Sequence, residues 1–274
     1  MIPDGRPFYK MSGSGNDFVV VDARREAPGR LAEPSEIQRV CARGTGVGAD
    51  GIVFLEPSAA AALRLTYLNA DGSRAEFCGN ATLCTTRLAT ELGIGSPAGL
   101  VIETDSGLVS ARMGEWGPEI DLQPVSEVRT AAGLALSHGE RQMGYATVGV
   151  PHLVIECDDV STVDVVGRGR PLRHDPSLPK GANANFVDAR GPRRRLRTYE
   201  RGVEAETLAC GSGAVATAIL LTLWGQATSP TEPVELETRS GRVLRVRLRR
   251  DGSAWHPTLI GEGRVVFEGK LSEI

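Results

Sequence analysis

Residues 67–88 read YLNADGSRAEFCGNATLCTTRL, and residues 199–220, which lie 132 positions further along, read YERGVEAETLACGSGAVATAIL. The two segments share Tyr, Cys-Gly, Thr and Leu at the same relative positions. Three more segments recur in the same order at offsets of 133 or 134: Gly15 and Val20 with Gly149 and Val154, Gly48-Ala49-Asp50 with Gly181-Ala182-Asn183, and Glu103 to Val109 with Glu237 to Val243. This conserved order predicts that the 274-residue chain contains two copies of one folding unit.

Each copy predicts a helix directly after its Cys-Gly pair. The first covers residues 79–92 and the second residues 211–224, and each is followed by a glycine, which is common just past a helix end. The second helix is apolar on nearly all sides, which indicates a buried position. Another helix is predicted at residues 34–43, and runs rich in β-branched residues predict strands at residues 18–21, 52–55, 63–67, 100–103, 148–157, 185–187, 196–199, 234–237 and 243–248. We therefore expect an α+β fold of two pseudo-symmetric domains, each a curved sheet or barrel around a central helix, with the active site in the cleft between them.

The composition excludes several classes of protein. A formal net charge of −3 gives no reason to expect binding to nucleic acid or to a membrane. The chain has no apolar run near the ~18 residues of a membrane span and no signal-peptide core, so we expect a cytoplasmic protein. Five cysteines without short metal-type spacing predict neither a disulfide framework nor a metal site. With only three lysines, the chain also offers few candidates for a Schiff-base cofactor.

The repeated cysteines, Cys78 and Cys210, are the candidate catalytic residues. Unpaired N–H groups at a helix start favour a thiolate and also bind anions. Two such helix starts around one ligand could hold a carboxylate from both sides and place a sulfur on each face of the adjacent carbon. One thiolate would then remove the α-proton and the opposite thiol would return a proton. The other cysteines, Cys41, Cys84 and Cys157, have no counterpart in the repeat, and we expect them to be small buried residues without a chemical role.

Several segments together closely resemble the diaminopimelate epimerase family. They are residues 11–18 (MSGSGNDF), 48–51 (GADG), 69–80 (NADGSRAEFCGN), 151–152 (PH), 183–186 (NANF) and 199–213 (YERGVEAETLACGSG). The resemblance extends from Phe8 to Gly269. It implies an epimerase that needs no cofactor and interconverts LL- and meso-diaminopimelate on the bacterial route to lysine and peptidoglycan.

The resemblance also implies roles for individual residues. Cys78 and Cys210 would be the acid/base pair. The non-reacting end of the substrate would be held by Asn16, Asn69, Asn183 and Arg201, and the reacting carboxylate by Gly79-Asn80 and Gly211-Ser212. The reacting amino group would be bound by His152 and Glu200, which would also help to set the protonation of the thiols. Two positions depart from the family pattern: Val150 replaces a common Asn, and Ala81 replaces a common Gly.

The repeat and the resemblance together predict the domain boundaries. Residues 1–129 would form the N-terminal half, joined by a C-terminal strand at 258–274, and residues 130–257 would form the other half, with a linker within 130–142. The resemblance further implies a homodimer.

Other functions fit the same sequence less completely. A related racemase for another amino acid, such as histidine, would share the two-thiol chemistry. A cysteine hydrolase using Cys210 with His152 would leave the repeat of Cys78 unexplained, and so would a non-enzymatic amino-acid-binding module. Both of these predict that replacing Cys78 has no effect on function.

Overall fold

A computed structural model describes residues 5–96, 98–188, 193–226 and 232–272 of the chain. Residue contacts divide the chain into unit 1, which comprises Met1–Ile120 and Gly261–Ile274, and unit 2, which comprises Asp121–Ile260. Among the residues described, no helix combines the length and the apolar character needed to cross a membrane.

The elements follow one another in the same order in both units. The strands are β1 (Arg6–Gly13), β2 (Asn16–Asp22), β3 (Gly51–Glu56), β4 (Leu63–Asn69), β5 (Arg74–Ala75), β6 (Leu100–Thr104), β7 (Gly107–Gly114), β8 (Gly117–Asp121), β9 (Val128–Arg129), β10 (Glu140–Val148), β11 (Val150–Cys157), β12 (Asn183–Asp188), β13 (Arg194–Glu200), β14 (Ala205–Thr207), β15 (Val234–Glu237), β16 (Val243–Asp251), β17 (Ala254–Ile260) and β18 (Arg264–Leu271). The helices are α1 (Pro34–Cys41), α2 (Gly79–Glu91), α3 (Val165–Arg173) and α4 (Gly211–Leu223), with 3-10 turns at Gly29–Ala32 and Val160–Thr162.

The strand pairing of unit 1 is mostly antiparallel. β1 pairs antiparallel with β2 and with β18, so the end of the chain completes this unit. β2 and β3 are parallel, β3 and β4 are antiparallel, and β4 is parallel to β6. β6, β7 and β8 then continue as an antiparallel meander.

Unit 2 repeats this pattern strand for strand. β10 pairs antiparallel with β11 and β9, β11 is parallel to β12, and β12 is antiparallel to β13. β13 is parallel to β15, and β15, β16 and β17 form the second meander. The identical topology confirms the duplication predicted from the sequence, and with it the α+β fold of two pseudo-symmetric domains.

A central helix is enclosed by the strands of each unit. α2 contacts β1, β2, β4, β7 and β18, and α4 contacts β10, β11, β12, β16 and β17. Residues 213–221 of α4 are all buried, as its apolar sequence predicts. Both helices end as predicted, because Gly93 and Gly225 follow them with positive φ values of 68° and 70°.

An outer helix covers the opposite face of each sheet. Ile37 and Val40 of α1 pack with Val19 and Phe54 of the strands beneath. Val165 and Leu172 of α3 pack in the same way in unit 2, in a cluster that includes Phe186. Side chains alternate between the two faces of a strand, so the other face of β11 and β12 is directed towards α4.

Several strands, among them β1, β7 and β8, were not predicted from the sequence, and two other elements also differ from the prediction. The strand predicted at 148–157 begins only at Val150, because Gly149 takes a φ of 68° and forms the turn of a tight hairpin in which Val148 pairs with Val150. The helix α3 was not predicted, since Gly167, Gly169 and Pro171 all lower helix propensity.

Candidate active site

Cys78 and Cys210, hereafter the helix-start cysteines, occupy the same position in their units. Cys78 immediately precedes α2 with φ −139° and ψ 112°, and Cys210 precedes α4 with φ −135° and ψ 109°. Both backbones are extended at the residue before the helix, where the amides of the first turn have no partner within the helix. The sequence prediction of two cysteines at two helix starts matches this geometry.

The thiol of Cys210 has specific neighbours. The backbone N–H of Gly213 donates to Cys210 Sγ at 3.4 Å, and Ser212 Oγ lies 3.6 Å from the same sulfur. Hydrogen bonds of this kind stabilise a thiolate more than a thiol. Gly213 leaves no room for a side chain, because a Cβ there would lie 2.2 Å from Asn185 Oδ1 and 3.2 Å from Cys210 Sγ.

In unit 1, three polar side chains form a chain that ends next to Cys78. Asn80, the second residue of α2, is 2% exposed, and its Nδ2 donates to Asn16 Oδ1 at 2.6 Å. Asn16 Nδ2 in turn donates to Asp50 Oδ2 at 3.0 Å. Since a carboxylate can only accept, Asp50 fixes the orientation of both amides. Asn16 and Asn80 are thus hydrogen-bonded to each other. Asp50 belongs to the same group, although the sequence prediction did not include it.

Asp50, the partner of Asn16, belongs to an ion-pair network that also includes Asp17. Arg43 bridges Asp17 at 2.7 Å and Asp50 at 2.8 Å, and Lys10 Nζ, nearly buried, lies 2.6 Å from Asp17 Oδ2. Burial tends to raise the pKa of Asp17, but the hydrogen bonds from Arg43 and Lys10 outweigh it and lower that pKa. The same cations hold both carboxylates in place.

Asn69 lies at the end of β4, opposite Gly51 of β3. Its Nδ2 donates to Ser73 Oγ at 3.0 Å, within the turn that follows the strand. Asn69 therefore does not join the polar chain of Asn16 and Asn80 through a direct hydrogen bond.

In unit 2, His152 lies on β11 opposite Asn183 of the parallel strand β12. Its side chain is fully buried, and burial together with the nearby positive charge of Arg201 lowers the pKa of His152 to about 3. Its ring contacts two amides: Asn185 Nδ2 is 3.2 Å from Nδ1, and Asn183 Nδ2 is 3.5 Å from Nε2. His152 is therefore neutral at physiological pH.

Asn183 connects His152 with the end of β13. The backbone N–H of Arg201 donates to Asn183 Oδ1 at 2.6 Å, and Arg201 Nη1 donates to the Lys180 carbonyl at 3.0 Å. Glu200 is the last residue of β13. The structure thus brings together His152, Asn183 and Arg201, and adds Asn185, which the sequence prediction did not include.

The remaining cysteines lie within α1, α2 and β11 and do not precede a helix. Cys41, Cys84 and Cys157 are free and buried. Burial raises the pKa of Cys41 to about 11 and that of Cys157 to about 12, and it also raises the pKa of Cys84. Their burial agrees with the sequence expectation of small buried residues, and the raised pKa values keep these thiols protonated near neutral pH.

The solved structures with a similar fold include two that cover nearly the whole chain. A phenazine biosynthesis protein of the PhzF family from Bacillus anthracis has a TM-score of 0.74 at 16% identity, covering 98% of this chain and 99% of its own. A hydroxyproline epimerase from Agrobacterium vitis has a TM-score of 0.67 at 17% identity, covering 97% and 93%. At such identities the similarity establishes the fold alone.

The sequence comparisons identify the family. The sequence model described as diaminopimelate epimerase matches residues 8–126 and 144–267. The diaminopimelate epimerase of Gemmatimonas aurantiaca is 45% identical, over 97% of this chain and 99% of the relative. That of Aquifex aeolicus is 39% identical, over 97% and 98%. The chain therefore belongs to the diaminopimelate epimerase family.

Proposed function

We propose that this protein interconverts LL- and meso-diaminopimelate without a cofactor, using its two helix-start cysteines. The observation that carries the proposal is the 45% identity to a relative named diaminopimelate epimerase over almost the full length of both chains. The duplicated fold supports it, because each unit supplies one cysteine at the start of a buried helix.

The proposed reaction replaces the hydrogen on one α-carbon and leaves all other bonds of the substrate intact. A thiolate removes the α-hydrogen as a proton, so the C–H bond breaks and an S–H bond forms. The electron pair left on carbon is delocalised into the adjacent carboxylate. The thiol on the opposite face then gives its proton to the same carbon, which inverts the centre and leaves that sulfur as a thiolate.

The developing negative charge on the carboxylate needs donors that are already in place. The N-terminal amides of α2 and α4, at Gly79-Asn80 and Gly211-Ser212, are suited to this role because helix starts favour negative charge. Preorganised donors of this kind stabilise charge in the transition state without further reorganisation.

The non-reacting end of the substrate carries a second carboxylate and a second amino group. We propose that Arg201 pairs with this carboxylate, because a guanidinium offers two parallel donors. Asn16, Asn69 and Asn183 supply neutral amides, which can either donate or accept. Glu200 provides a negative charge for an ammonium.

The test is to incubate the reduced protein with LL-diaminopimelate in D2O and to follow α-deuterium and the meso product. We expect one deuterium per inverted centre, and the same activity after dialysis against EDTA. Parallel incubations with histidine and proline test for a different amino acid. Deuterium entry into one of these, with none into diaminopimelate, would replace the proposal with the related racemase.

We also propose that the protein is a homodimer, on the basis of the family resemblance. Light scattering after size-exclusion chromatography should give twice the mass of one chain. A mass equal to one chain at the concentration of the assay would contradict this.

A further inference from the structure

His152 has a fixed hydrogen-bonding environment in unit 2 that determines which of its ring nitrogens carries the proton. We propose that Asn185 is a positioning residue that holds His152 as the neutral imidazole with its proton on Nε2. His152 then donates a hydrogen bond to a carboxylate of the substrate and does not accept one from an ammonium group. This inference rests on the proposed epimerase function for the identity of the substrate.

The orientation of the Asn185 amide follows from its partners. Its Nδ2 donates to the Leu153 carbonyl at 2.8 Å, and a carbonyl oxygen can only accept. Its Oδ1 accepts from Thr198 Oγ1 at 3.0 Å. Asn185 is fully buried, and Gly213 packs so closely against Oδ1 that even a Cβ would overlap it. The amide therefore has neither the room nor the partners to turn over.

The second N–H of Asn185 decides the tautomer of His152. Nδ2 lies 3.2 Å from His152 Nδ1, so Nδ1 has to accept. A neutral imidazole has one accepting and one donating nitrogen. The proton of His152 is therefore on Nε2.

On the other side of the ring, two donors face each other. Asn183 is also fixed, because its Oδ1 accepts from the backbone N–H of Arg201 at 2.6 Å. This directs Asn183 Nδ2 towards His152 Nε2, at 3.5 Å. Within the described parts of the chain, His152 Nε2 makes no hydrogen bond to an acceptor.

A buried donor without an acceptor is unfavourable, and here two of them lie side by side. An atom that satisfied both would have to be an acceptor. The positive charge of Arg201 is close enough to help lower the pKa of His152, and it also favours a negatively charged ligand at this position. A carboxylate oxygen meets these requirements, whereas an ammonium group has only donors.

The arrangement exists in one half of the molecule only. The repeat places Phe18 of β2 at the position of His152 in β11. Phe18 is fully buried and packs edge-to-face on Tyr67. His152 and its positioning amide therefore distinguish the two halves and contribute to recognition of an asymmetrically bound substrate.

The direct test is a long-range ¹H–¹⁵N correlation spectrum of the whole protein labelled at its four histidines. The spectrum of His152→Gln assigns the signal of His152 by its absence. We expect a neutral Nε2–H ring that does not titrate between about pH 5.5 and 8, the range in which an unperturbed histidine would titrate. A proton on Nδ1, or titration near the ordinary pKa, would overturn the inference.

The variant Asn185→Asp tests the positioning role. A carboxylate can only accept, so it should draw a proton to Nδ1 and reduce kcat/KM for diaminopimelate by about a hundredfold, as loss of a well-placed donor does. Thr198→Val is the control, because Leu153 still fixes the amide. It should keep the Nε2–H signal and lose no more than about threefold in kcat/KM.

The inference also fails if Asn185→Asp keeps both the Nε2–H tautomer and wild-type kcat/KM. If that variant does not fold, the wild-type spectrum decides the matter on its own. The spectrum requires no turnover, so a wrong tautomer overturns the inference even in an active epimerase. An Nε2–H ring in a protein that exchanges no diaminopimelate would contradict the proposed function instead.

Discussion

Replacing Gly213 by alanine tests how closely the residues around Cys210 are packed. The new methyl group would lie 2.2 Å from Asn185 Oδ1 and 3.2 Å from Cys210 Sγ, so either the amide or the helix start has to move. Overpacking of this kind costs about 1–3 kcal/mol. Disturbing the hydrogen bonds of the buried Asn185 amide costs about 1–3 kcal/mol more. The higher helix propensity of alanine offsets up to about 1 kcal/mol of this loss.

We therefore expect Gly213→Ala to lower the free energy of unfolding by about 2 kcal/mol or more. Because both affected atoms belong to the proposed site, α-proton exchange should fall by at least about tenfold, as a shift of 1.4 kcal/mol would produce. Urea unfolding and deuterium incorporation measure the two effects separately.

The duplicated fold supplies a matched control for this variant. Ala81 in α2 occupies the position that Gly213 has in α4, and it is fully buried without such a conflict. Ala81→Gly should cost about 1 kcal/mol through helix propensity and leave exchange within about threefold of wild type. A Gly213→Ala protein that was as stable and as active as wild type would refute the packing argument.

Three further predictions concern charge and thiol reactivity. The pKa of His152 lies at about 3 in the native state and near 6.5 when unfolded, so between these values only the unfolded chain binds the extra proton. The contribution to stability should be complete well above pH 6.5 and about 2 kcal/mol smaller at pH 5, a loss that urea titrations of His152→Gln should not show. Asp17→Ala leaves the nearly buried Lys10 without its anion and should lower the free energy of unfolding in urea by about 3–5 kcal/mol. The control Asp105→Ala breaks ion pairs with more exposed arginines and should lower it by no more than about 1 kcal/mol. Equal losses in the two variants would contradict this reasoning. Iodoacetamide should alkylate the helix-start cysteines before Cys41, Cys84 and Cys157, whose raised pKa values keep them protonated, as peptide mass spectrometry would show. Substrate should slow this reaction, and uniform labelling of the native protein would argue against the prediction.

Much of the fold could be predicted because the two copies of the sequence constrain each other. The helices after Cys78 and Cys210 were predicted to within one residue, since a cysteine-glycine start and a terminal glycine mark both ends. The topology of the sheets could not be predicted in the same way. Short strands such as β5 and β14 depend on their partners and carry little signal of their own.

Membership of a motif did not suffice to predict every residue around the candidate site. Asn183 was assigned a role through the motif at 183–186, but Asn185, which belongs to the same motif, was predicted only as a strand residue. Its importance depends on the parallel pairing of β11 with β12, which brings it beside His152. Asp50 was missed for a similar reason, because its contact with Asn16 joins segments 34 residues apart.

The central claim is that two thiols act on opposite faces of one carbon, one removing a proton and the other returning one. Single cysteine variants test it most directly. Cys78→Ala and Cys210→Ala should each reduce conversion of LL- to meso-diaminopimelate by at least about a hundredfold, because each removes one of two required acid/base groups. Cys157→Ala, which changes a buried thiol in unit 2, is the control and should retain wild-type turnover. Near-normal conversion by either helix-start variant would contradict the two-thiol account.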